Sequence, residues 1–484
     1  MMLPGGFSRK AALNCGHMRT AFTSFLVFGV ISVFAGCSQP ASEPTPAAQS
    51  SAVLYEGARI VPGDGSAPIE RGAMLVEGDR ITRIGAQGEV TAPAGAARVD
   101  LAGKTVIPAL IGAHGHVGYQ KGLTFLRENY TRENILNDLN RAAYFGLGTT
   151  MTLGIDTPQF VYELREFTAN GQHGAARLRT AGSGIGGPNA GPGNAVYSRG
   201  VAYEVTTEEE GRAAVRDVAP HKPDMVKIWL DVRGGRGQKI APPVVRAIVD
   251  EASKNGLKVI AHVRDHIDAE TAVGSGVYAL AHLARDRDMS DALVADIVKR
   301  GVYVTPTLSM AERNNYAGAV PAWFEEPGLL ALLQGSLTKV ELDLVRQGFI
   351  ERTPEQAANA TRAYGILERT VTRLNAAGAR VVLGGDTGLP QHYWGLAEQR
   401  ELELLVKAGL TPAQAIVAGT SRAAEFLSLP DLGTLAAGKV ADFLVLDANP
   451  LDDILNTRRI SNLYIQGKRV DREAMRAKWQ TSGS

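Results

Sequence analysis

The sequence contains little cysteine and has almost no net charge. The 484 residues include two cysteines, and both precede residue 38, so the rest of the chain can form no disulfide. Lysine and arginine total 51 against 50 aspartates and glutamates, which gives a formal net charge of +1. A nucleic-acid partner calls for a clustered basic face, and this balance argues against one. Hydrophobic residues make up 45%, which is enough for a sizeable core.

A long apolar run occupies residues 21–36 and ends in small residues immediately before Cys37. This pattern resembles a bacterial lipoprotein signal, so we expect residues 1–36 to be a signal peptide and Cys37 to be lipidated. A plain transmembrane anchor is the alternative, for which the run is slightly short. Residues 37–50 are rich in proline, serine and alanine and are predicted to form a flexible tether.

The expected location follows from this leader. A lipid on Cys37 would hold the protein at the bacterial cell envelope without spanning the membrane. Ser38, the next residue, favours the outer membrane and its periplasmic side by analogy with other lipoproteins. Translation from Met18 instead of Met1 would leave a compact leader and would remove Cys15 from the product.

The remaining chain shows two patterns. Short β-prone pieces with glycine and proline turns fill residues 51–107 and return over 430–475, which predicts a small β-sandwich domain built from both ends. Over 108–429, strand-like and helix-like pieces alternate, which predicts an α/β fold, a (β/α)8 TIM barrel. The eight strand candidates are residues 106–113, 148–153, 176–182, 224–229, 258–263, 277–282, 301–307 and 379–385.

Two segments of the barrel region need separate interpretation. Residues 311–375 form a long insert with helical periodicity, which is either a helical lid or substrate wall at the barrel mouth or a group of helices packed outside. The glycine-rich run 182–193 lacks the lysine of a phosphate-binding loop and the spacing of a dinucleotide site, so we predict a mobile loop at the mouth. Thr411, Pro412 and Gln414 together predict a helix N-terminus.

Six residues of metal-ligand type stand near the ends of predicted strands. A (β/α) barrel gathers its active-site groups at the C-terminal ends of its strands, so we expect these residues to converge. His114 and His116 are two residues apart, which on a strand puts both rings on one face, where they could bind one metal ion. The six candidates are His114, His116, Lys227, His262, His282 and Asp386.

Lys227 is the most informative of the six. In the strand MVKIW its side chain points away from Val226 and Ile228 and therefore into the barrel interior. An isolated buried ammonium is costly, so we expect a functional reason for it. A neutral lysine amine can add CO₂ to form a carbamate, an anionic group able to bridge two cations. The alternative is a lysine beyond the strand end whose amine reaches water.

The other candidates have structural alternatives. His262 or His282 alone would be interpreted as a hydrogen-bonded core histidine, and Asp386 alone as a helix N-cap. In this set, Asp386 can bind metal and take a proton from water, which makes it the catalytic candidate. His266 is expected to start the next helix and to face away from the site.

His392 and Tyr393 follow Asp386 and are candidate substrate-binding residues, with Trp394 beside them. Their alternative is an ordinary role in the loop.

The motif GKTVIPALIGAHGH (103–116) and the run AGLTPAQAIVAGTSRAAEFLSL (408–429) resemble the metal-dependent amidohydrolase superfamily, in particular its imidazolonepropionase-like and prolidase-like members. The resemblance implies a barrel with a β-sandwich made from both termini and two divalent metal ions, Zn²⁺ by default. It implies that His114, His116 and Asp386 hold the first ion. His262 and His282 would hold the second, with carboxylated Lys227 as the bridge.

Two positions depart from the family pattern. Gly112 stands where the family often has aspartate, and Ala281-His282-Leu283 stands where it often has Glu-His-Gly. The first change would remove a hydrogen bond that orients the metal ligands. Both changes affect the expected substrate and metal tuning more than the site itself.

The implied activity is hydrolysis of a C–N bond by a metal-bridged hydroxide, with Asp386 passing the proton to the leaving nitrogen. The substrate would be an amide, a cyclic amide or a dipeptide-like molecule, and the prolidase-like resemblance favours a dipeptidase. An esterase, lactonase or phosphotriesterase would suit the same site. A mononuclear deaminase would not need Lys227, and a non-enzymatic binding lipoprotein is the remaining alternative.

Overall fold

The computed structural model describes residues 52–169, 174–189, 198–232 and 237–481. The predicted signal peptide, the tether and Cys37 lie outside the described residues. Within these four ranges, no helix combines the length and apolarity needed to cross a membrane.

The chain opens with a group of strands and then alternates between short strands and helices. Numbered in chain order, the strands of the described ranges are β1 (Ala52–Ile60), β2 (Ile69–Glu77), β3 (Arg80–Ala86), β4 (Ala97–Asp100), β5 (Thr105–Pro108), β6 (Leu110–Gly115), β7 (Gln120–Lys121), β8 (Thr124–Phe125), β9 (Leu147–Thr152), β10 (Arg177–Thr180), β11 (Ile185–Gly186), β12 (Tyr203–Glu204), β13 (Val226–Trp229), β14 (Val259–His262), β15 (Ala279–Ala281), β16 (Tyr303–Thr305), β17 (Arg380–Val381), β18 (Phe443–Leu446), β19 (Ile460–Ile465) and β20 (Lys468–Arg469).

Helices follow most of the central strands. In the same ranges the α-helices are α1 (Arg132–Tyr144), α2 (Pro158–Ala169), α3 (Glu208–Val218), α4 (Pro242–Lys254), α5 (His266–Gly274), α6 (Asp291–Arg300), α7 (Leu308–Glu312), α8 (Pro327–Ser336), α9 (Lys339–Ile350), α10 (Pro354–Ala376), α11 (Leu396–Lys407), α12 (Pro412–Ala418), α13 (Ser421–Phe426) and α14 (Arg472–Thr481). Short 3₁₀ helices span Arg127–Asn129, Ala219–His221, Ala322–Glu325 and Ile454–Arg458.

The predicted helix start at Thr411 is confirmed as the N-terminus of α12. Gln414 Oε1 accepts the N–H of Thr411 at 2.8 Å, and Thr411 Oγ1 accepts the N–H of Gln414 at 3.2 Å. These bonds satisfy two backbone donors that a helix start leaves unpaired. Pro412 occupies the first turn, where its missing N–H costs nothing.

Both ends of the described chain contribute strands to one small β domain. The sheet order is β20-β19-β18-β5-β1-β2-β3, and β4 pairs with β1. The outer edge of β3 turns back onto the segment before β18, because Ile81 N–H donates to Lys439 O at 2.9 Å and Gly438 N–H donates to Ile81 O at 2.8 Å. The sheet therefore curls around an apolar cluster that includes Tyr55 and Phe443, whose ring centroids are 5.0 Å apart.

Eight parallel strands form the predicted (β/α)8 barrel: β6, β9, β10, β13, β14, β15, β16 and β17. Pairing joins β6, β9 and β10 in one arc and runs from β13 to β17 in another. The N–H of Asp224 donates to Thr180 O at 2.9 Å, and the N–H of Ala113 donates to Leu383 O at 2.8 Å. These bonds join the two arcs at both seams, so the barrel is closed.

The N-terminal end of the barrel is packed with aromatic side chains. Phe426 of α13 lies against Tyr278 and Tyr303, with ring centroids 5.7 and 5.4 Å away. Apolar side chains, including Ile260 and Met151, fill the interior next to this cluster. The candidate ligands lie toward the opposite, C-terminal end, where barrel enzymes carry their chemistry.

The insert over residues 311–375 packs mainly around the barrel. Glu341 of α9 pairs with Arg141 of α1 at 3.1 Å, and Glu326 before α8 pairs with Arg458 at 2.9 Å. These buried contacts support the outside-packing alternative for α8 and α9. The start of the insert instead contacts the loop that follows Asp386. The Arg313 side chain donates a hydrogen bond to Pro390 O in that loop, at 2.7 Å.

The prediction of a mobile loop over 182–193 is wrong for residues 182–189. β11 lies within this segment and pairs with β12 and β13. A Cβ on Gly184 would come within 2.2 Å of the Trp229 ring, and a Cβ on Gly187 would come within 1.9 Å of Gln238 O. The glycines thus serve close packing in this part of the run. Residues 190–193 lie outside the described ranges.

Candidate metal centre

The six predicted metal ligands come together near the C-terminal end of the barrel. The imidazole centroids of His114 and His282 are 4.8 Å apart, and those of His262 and His282 are 4.5 Å apart. The centroid of His116 lies 5.8 Å from that of His114. One ligand atom from each of His114, His282 and Asp386 lies within 4.8 Å of the other two. Residues far apart in the chain therefore form one cluster.

Asp386 lies between the histidines of the two implied metal positions. Its Oδ1 is 3.0 Å from His116 Nε2 and 3.2 Å from His114 Nε2, and its Oδ2 is 3.8 Å from His282 Nε2. Its backbone N–H donates to His114 O at 3.0 Å, at the seam where the barrel closes. The carboxylate is therefore close to both implied positions, whereas the family resemblance assigned it to the first.

Lys227 lies inside the barrel and deeper than the sequence predicts. It pairs with Ile260, whereas Trp229 pairs with His262, so Lys227 stands two positions before the end of β13. Its side chain is fully buried, and its amine lies 5.8 Å from the centroid of the Trp229 ring. A Cβ on Gly154 would come within 2.7 Å of Lys227 Cγ. The alternative of a lysine that reaches bulk water is thereby excluded.

Thr305, the last residue of β16, and Thr307, two residues beyond it, orient two of the histidines. Thr307 Oγ1 lies 2.6 Å from His282 Nδ1, and Thr305 Oγ1 lies 3.4 Å from His114 Nδ1. Each contact uses Nδ1 and leaves the Nε2 side of the ring directed toward Asp386. Partners of this kind fix the tautomer and orientation of a metal-binding histidine.

The backbone is strained at three residues of the centre. His282, Thr307 and Asp386 have φ values of 67°, 53° and 54°, in the left-handed region that non-glycine residues rarely adopt. Such conformations cost of order 1–3 kcal/mol each and persist only where the surrounding structure enforces them. Three of them around one cluster indicate that the fold holds these side chains in fixed positions.

Burial and neighbouring charges set the protonation states. Burial, with the charge of Lys227, lowers the pKa of His114 to about 3, and burial lowers the pKa of His282 well below its usual value. Burial alone would raise the pKa of Asp386, but His114 and His282 outweigh it and hold that pKa well below its usual range. Neutral imidazoles and an ionised carboxylate are the forms that bind metal.

This donor set fits the divalent ions that the family resemblance implies. In the described part of the chain, His116 Nδ1 is buried without a hydrogen-bond partner, which is costly unless another group satisfies it. Imidazole nitrogens with a carboxylate oxygen are the donors that zinc prefers. The six residues could therefore hold metal, and Asp386 could also move a proton.

Asp231 belongs to the centre and was not predicted. Its Oδ1 lies 3.3 Å from His262 Nε2, and the residue is buried two positions after β13. The signal was available, because Asp231 ends the run KIWLD and a carboxylate after a barrel strand is a candidate by position. Thr305 and Thr307 were also missed, since nothing in VYVTPT marks a hydroxyl as a histidine partner.

Glu398 of α11 reaches the space beside Gly112. A Cβ on Gly112 would lie 2.8 Å from Leu147 Cδ2 and 3.6 Å from Glu398 Oε1, so an aspartate would not fit without a shift. Glu398 is buried, and it accepts hydrogen bonds from Thr387 Oγ1 and from the N–H of Gly395. Thr387 follows Asp386 directly. A different carboxyl group therefore supports this side of the centre.

The two substrate-binding candidates have different surroundings. His392 is buried, with Nε2 at 2.9 Å from the carbonyl oxygen of Gly385, next to Asp386. Tyr393 is turned toward Gly122, to whose carbonyl its hydroxyl donates at 3.1 Å, and Arg141 lies over its ring. His392 is placed near the centre, whereas the contacts of Tyr393 lie along the barrel wall.

A closed (β/α)8 barrel with imidazoles and a carboxylate clustered near one end defines a class of metal-dependent barrel hydrolases. The sequence model of the amidohydrolase family matches residues 105–470, so this chain belongs to that family. It is accordingly an enzyme that hydrolyses carbon–nitrogen bonds, as the sequence predicts, in a family that typically depends on metal.

The chain is also similar to individual proteins. An uncharacterized protein of Mycobacterium tuberculosis is 25% identical over 369 residues, which is 74% of this chain and 84% of that protein. The imidazolonepropionase of Deinococcus deserti is 38% identical over 102 residues, 20% of this chain and 25% of that enzyme. The structure of a Xaa-Pro dipeptidase with methionine bound in its active site aligns with a TM-score of 0.69 at 22% identity, covering 87% of this chain and 99% of that one. The predicted relation to imidazolonepropionase-like and prolidase-like members is confirmed.

Proposed function

We propose that this enzyme cleaves an amide or dipeptide-like bond of a small molecule in a site that holds two divalent metal ions, with Zn²⁺ as the expected metal. The position of Asp386 between His116 and His282 is the observation that carries this proposal. One carboxylate within 3.8 Å of imidazoles assigned to both implied ions supports a site for two ions. A carboxylated Lys227 would bridge them from within the barrel, next to His114.

The residues of the centre then have distinct tasks. Divalent ions bound there would polarise the substrate carbonyl and lower the pKa of a water molecule. Asp386 takes the proton from that water at a carboxylate oxygen and gives it to the leaving nitrogen. Thr305 and Thr307 hold the rings of His114 and His282 in place throughout.

The proposed substrate is a dipeptide or an N-acyl amino acid. Support comes from the similarity in fold to a Xaa-Pro dipeptidase whose structure holds an amino acid. His392 would contact the substrate, because it is buried beside Gly385. Tyr393 stays a weaker candidate for the same role.

Metal removal and restoration test the proposal. The purified enzyme is treated with a chelator and assayed on dipeptides and N-acyl amino acids, and we expect activity to disappear. Divalent metal with bicarbonate should restore it, since the carbamate on Lys227 needs CO₂. Metal analysis should find two ions per chain, and fewer in Lys227→Met because that variant lacks the bridge.

Lys258→Met is the matched control for this experiment. Lys258 precedes β14, is half-buried, and bonds Tyr278 Oη at 3.2 Å, near the aromatic cluster at the other end of the barrel. This variant should keep both ions and its activity. Chelator-insensitive hydrolysis, or two ions per chain in Lys227→Met, would contradict the binuclear proposal.

A mononuclear deaminase is the second candidate. The tight group of His114, His282 and Asp386 favours it, because these three residues alone could hold one ion. Such an enzyme would contain one ion per chain and would release ammonia without needing Lys227. The metal content of the wild type and of Lys227→Met therefore separates the two candidates.

We also propose that the enzyme is a lipoprotein of the bacterial cell envelope. The apolar run before Cys37 and the proline-rich segment after it support this location. A tether formed by residues 37–50 would let the barrel reach substrates near the membrane. Two acyl chains on Cys37 would keep the protein attached to that membrane.

A further inference from the structure

The short helix α7 begins directly after Thr307, the residue that orients His282. Five other helices begin at a threonine whose hydroxyl accepts a backbone N–H of its own first turn, namely α1, α3, α9, α10 and α12. Within the described ranges Thr307 makes no such bond, and its hydroxyl lies 2.6 Å from His282 Nδ1 instead. The N-terminus of α7 therefore needs hydrogen-bond acceptors from another part of the chain.

Glu401 of α11 supplies these acceptors. Its Oε1 accepts the N–H of Leu308 at 2.9 Å, and its Oε2 accepts the N–H of Ser309 at 2.7 Å. All three residues are buried. Burial raises the pKa of Glu401 to about 7, and the bonds from the two N–H groups oppose that rise. A buried carboxyl group that accepts one N–H at each oxygen holds both peptide groups in a fixed direction.

The bond to Leu308 acts on the backbone of Thr307. The peptide group that joins the two residues is planar, so the ψ angle of Thr307 sets the direction of the N–H of Leu308. Thr307 has φ 53° and ψ 47°, a left-handed conformation that is unfavourable for a residue with a branched Cβ. Without Glu401, this peptide group could turn to a more favourable conformation and carry the threonine hydroxyl away from His282.

The other end of α7 and the neighbouring loop are attached to the same helix, α11. Glu312, the last residue of α7, accepts a hydrogen bond from Arg400 Nε at 2.9 Å. Glu398 accepts the hydroxyl of Thr387, the residue after Asp386. α11 therefore contacts both the loop that follows β16 and the loop that follows β17.

We propose that Glu401 is a positioning residue of the candidate metal centre. It holds Thr307 in the conformation that presents its hydroxyl to His282, and it thereby sets how tightly His282 binds a divalent ion. Glu401 itself touches neither the ion nor the substrate. This inference rests on the proposed function, which makes His282 a metal ligand, and it adds a residue of α11 to that site.

Metal affinity in two variants tests the inference. Glu401→Gln keeps the size of the side chain and one of the two acceptors, whereas Glu401→Met keeps the length and neither acceptor. We expect the affinity for the ion at His282, measured by competition with a chromogenic chelator, to fall about 10- to 100-fold in Glu401→Met, as is usual when a group that orients a ligand is lost. Glu401→Gln should lose less. The absorption spectrum of the enzyme loaded with Co²⁺ should change in both variants, because it reports the ligand geometry.

A double-mutant cycle with Thr307→Val tests whether Glu401 acts through the threonine hydroxyl. If it does, Glu401→Gln should cause almost no further loss of metal affinity in a protein that already lacks this hydroxyl. Two independent effects would instead multiply. Full multiplication would overturn the inference.

Glu326→Gln is the matched control. Glu326 also accepts two backbone N–H groups at the start of a helix, those of Gly328 and Leu329, both at 2.8 Å, but it precedes α8, which packs outside the barrel. Its replacement should lower thermal stability and leave the metal affinity and the Co²⁺ spectrum unchanged, as a merely structural role of Glu401 would also do. Thermal unfolding identifies any variant that fails to fold. Glu401→Asp, which keeps the charge and is one methylene group shorter, then takes its place.

The outcomes separate this inference from the proposed function. Wild-type metal affinity and an unchanged Co²⁺ spectrum in folded Glu401→Met would overturn the positioning role while amide hydrolysis stands. If the wild type binds metal but hydrolyses no amide, the proposed function fails and the affinities still decide on Glu401. If the wild type takes up no metal, the ring-nitrogen NMR signals of His282 decide, recorded with isotope-labelled histidine. Wild-type signals in Glu401→Met would then overturn the inference, whereas a change like that in Thr307→Val would support it.

Discussion

At the scale of single residues, the candidate centre depends on hydroxyl groups as well as on ligands. Thr307 Oγ1 lies 2.6 Å from His282 Nδ1 and fixes the orientation of that ring. Thr307→Val keeps the branched shape and removes the hydroxyl. We expect metal affinity or kcat/KM to fall about 10- to 100-fold, as is usual when such a partner is lost. Competition with a chromogenic chelator measures the affinity, and the dipeptide assay measures the rate.

Thr149→Val is the matched control for that change. Thr149 is a buried threonine of β9 whose hydroxyl has no hydrogen-bond partner among the described residues. Its replacement should leave metal affinity and stability unchanged or slightly improved, since it removes an unsatisfied polar group. Wild-type metal affinity in Thr307→Val would show that the hydroxyl does not orient His282.

The ligand candidates could be predicted because each carries metal chemistry and stands near a strand end. Their partners could not be predicted in the same way. Thr307 meets His282 across 25 residues of sequence, and this contact depends on the register of β15 and β16. The depth of Lys227 could not be predicted for the same reason. Only the pairing of β13 with β14 shows how far Lys227 lies from the C-terminal end of the strand.

At the scale of elements, β6 packs against the side chain of Trp394, which follows β17, the eighth barrel strand. A Cβ on Gly115 would come within 2.3 Å of Trp394 Cη2, so Gly115→Ala would force Trp394 or the strand to move. Because His114 and His116 flank this glycine, both ligands would shift with it. We expect a loss of about 1–3 kcal/mol in the free energy of unfolding, measured in urea, together with weaker metal binding.

Gly274→Ala provides the control for the added methyl group. Gly274 is the last residue of α5, is exposed, and has nothing within 4 Å of the position of a new Cβ. Its replacement should leave the free energy of unfolding unchanged or raise it slightly, because alanine favours helix. An unaltered unfolding curve for Gly115→Ala would contradict the packing seen between β6 and Trp394.

Most barrel elements could be predicted because helix and strand periodicities are local. All eight predicted strands overlap strands of the barrel, and the capping box of α12 is present. The glycine-rich run was misinterpreted for an equally local reason. Composition alone does not distinguish a glycine in a loop from Gly184, which is small because the Trp229 ring lies against it.

At the scale of the whole molecule, the proposed lipid anchor decides where the enzyme works. Cys37→Ser removes the acceptor of the lipid, and two acyl chains are what give a stable membrane attachment. We expect the wild type in the detergent phase of a phase-separation assay and in the membrane fraction of the expressing bacterium. The serine variant should appear in the aqueous phase or keep its leader uncleaved, and intact-mass spectrometry distinguishes these forms.

Cys15→Ser is the control, since this cysteine precedes the predicted cleavage site and should not affect the mature protein. Identical partitioning of the wild type and Cys37→Ser would contradict the anchor. Such a result would leave the barrel and its chemistry untouched, because residues 52–481 contain the elements that build them.

The sequence by itself determined the residue types and the alternation of strands and helices, because side-chain chemistry and periodicity are properties of short segments. It thereby determined the barrel and the six candidate ligands. Tertiary structure alone decided that Asp386 lies between His116 and His282 and that Asp231 joins His262. These facts depend on strand register and barrel closure, which bring together side chains separated by up to 270 residues.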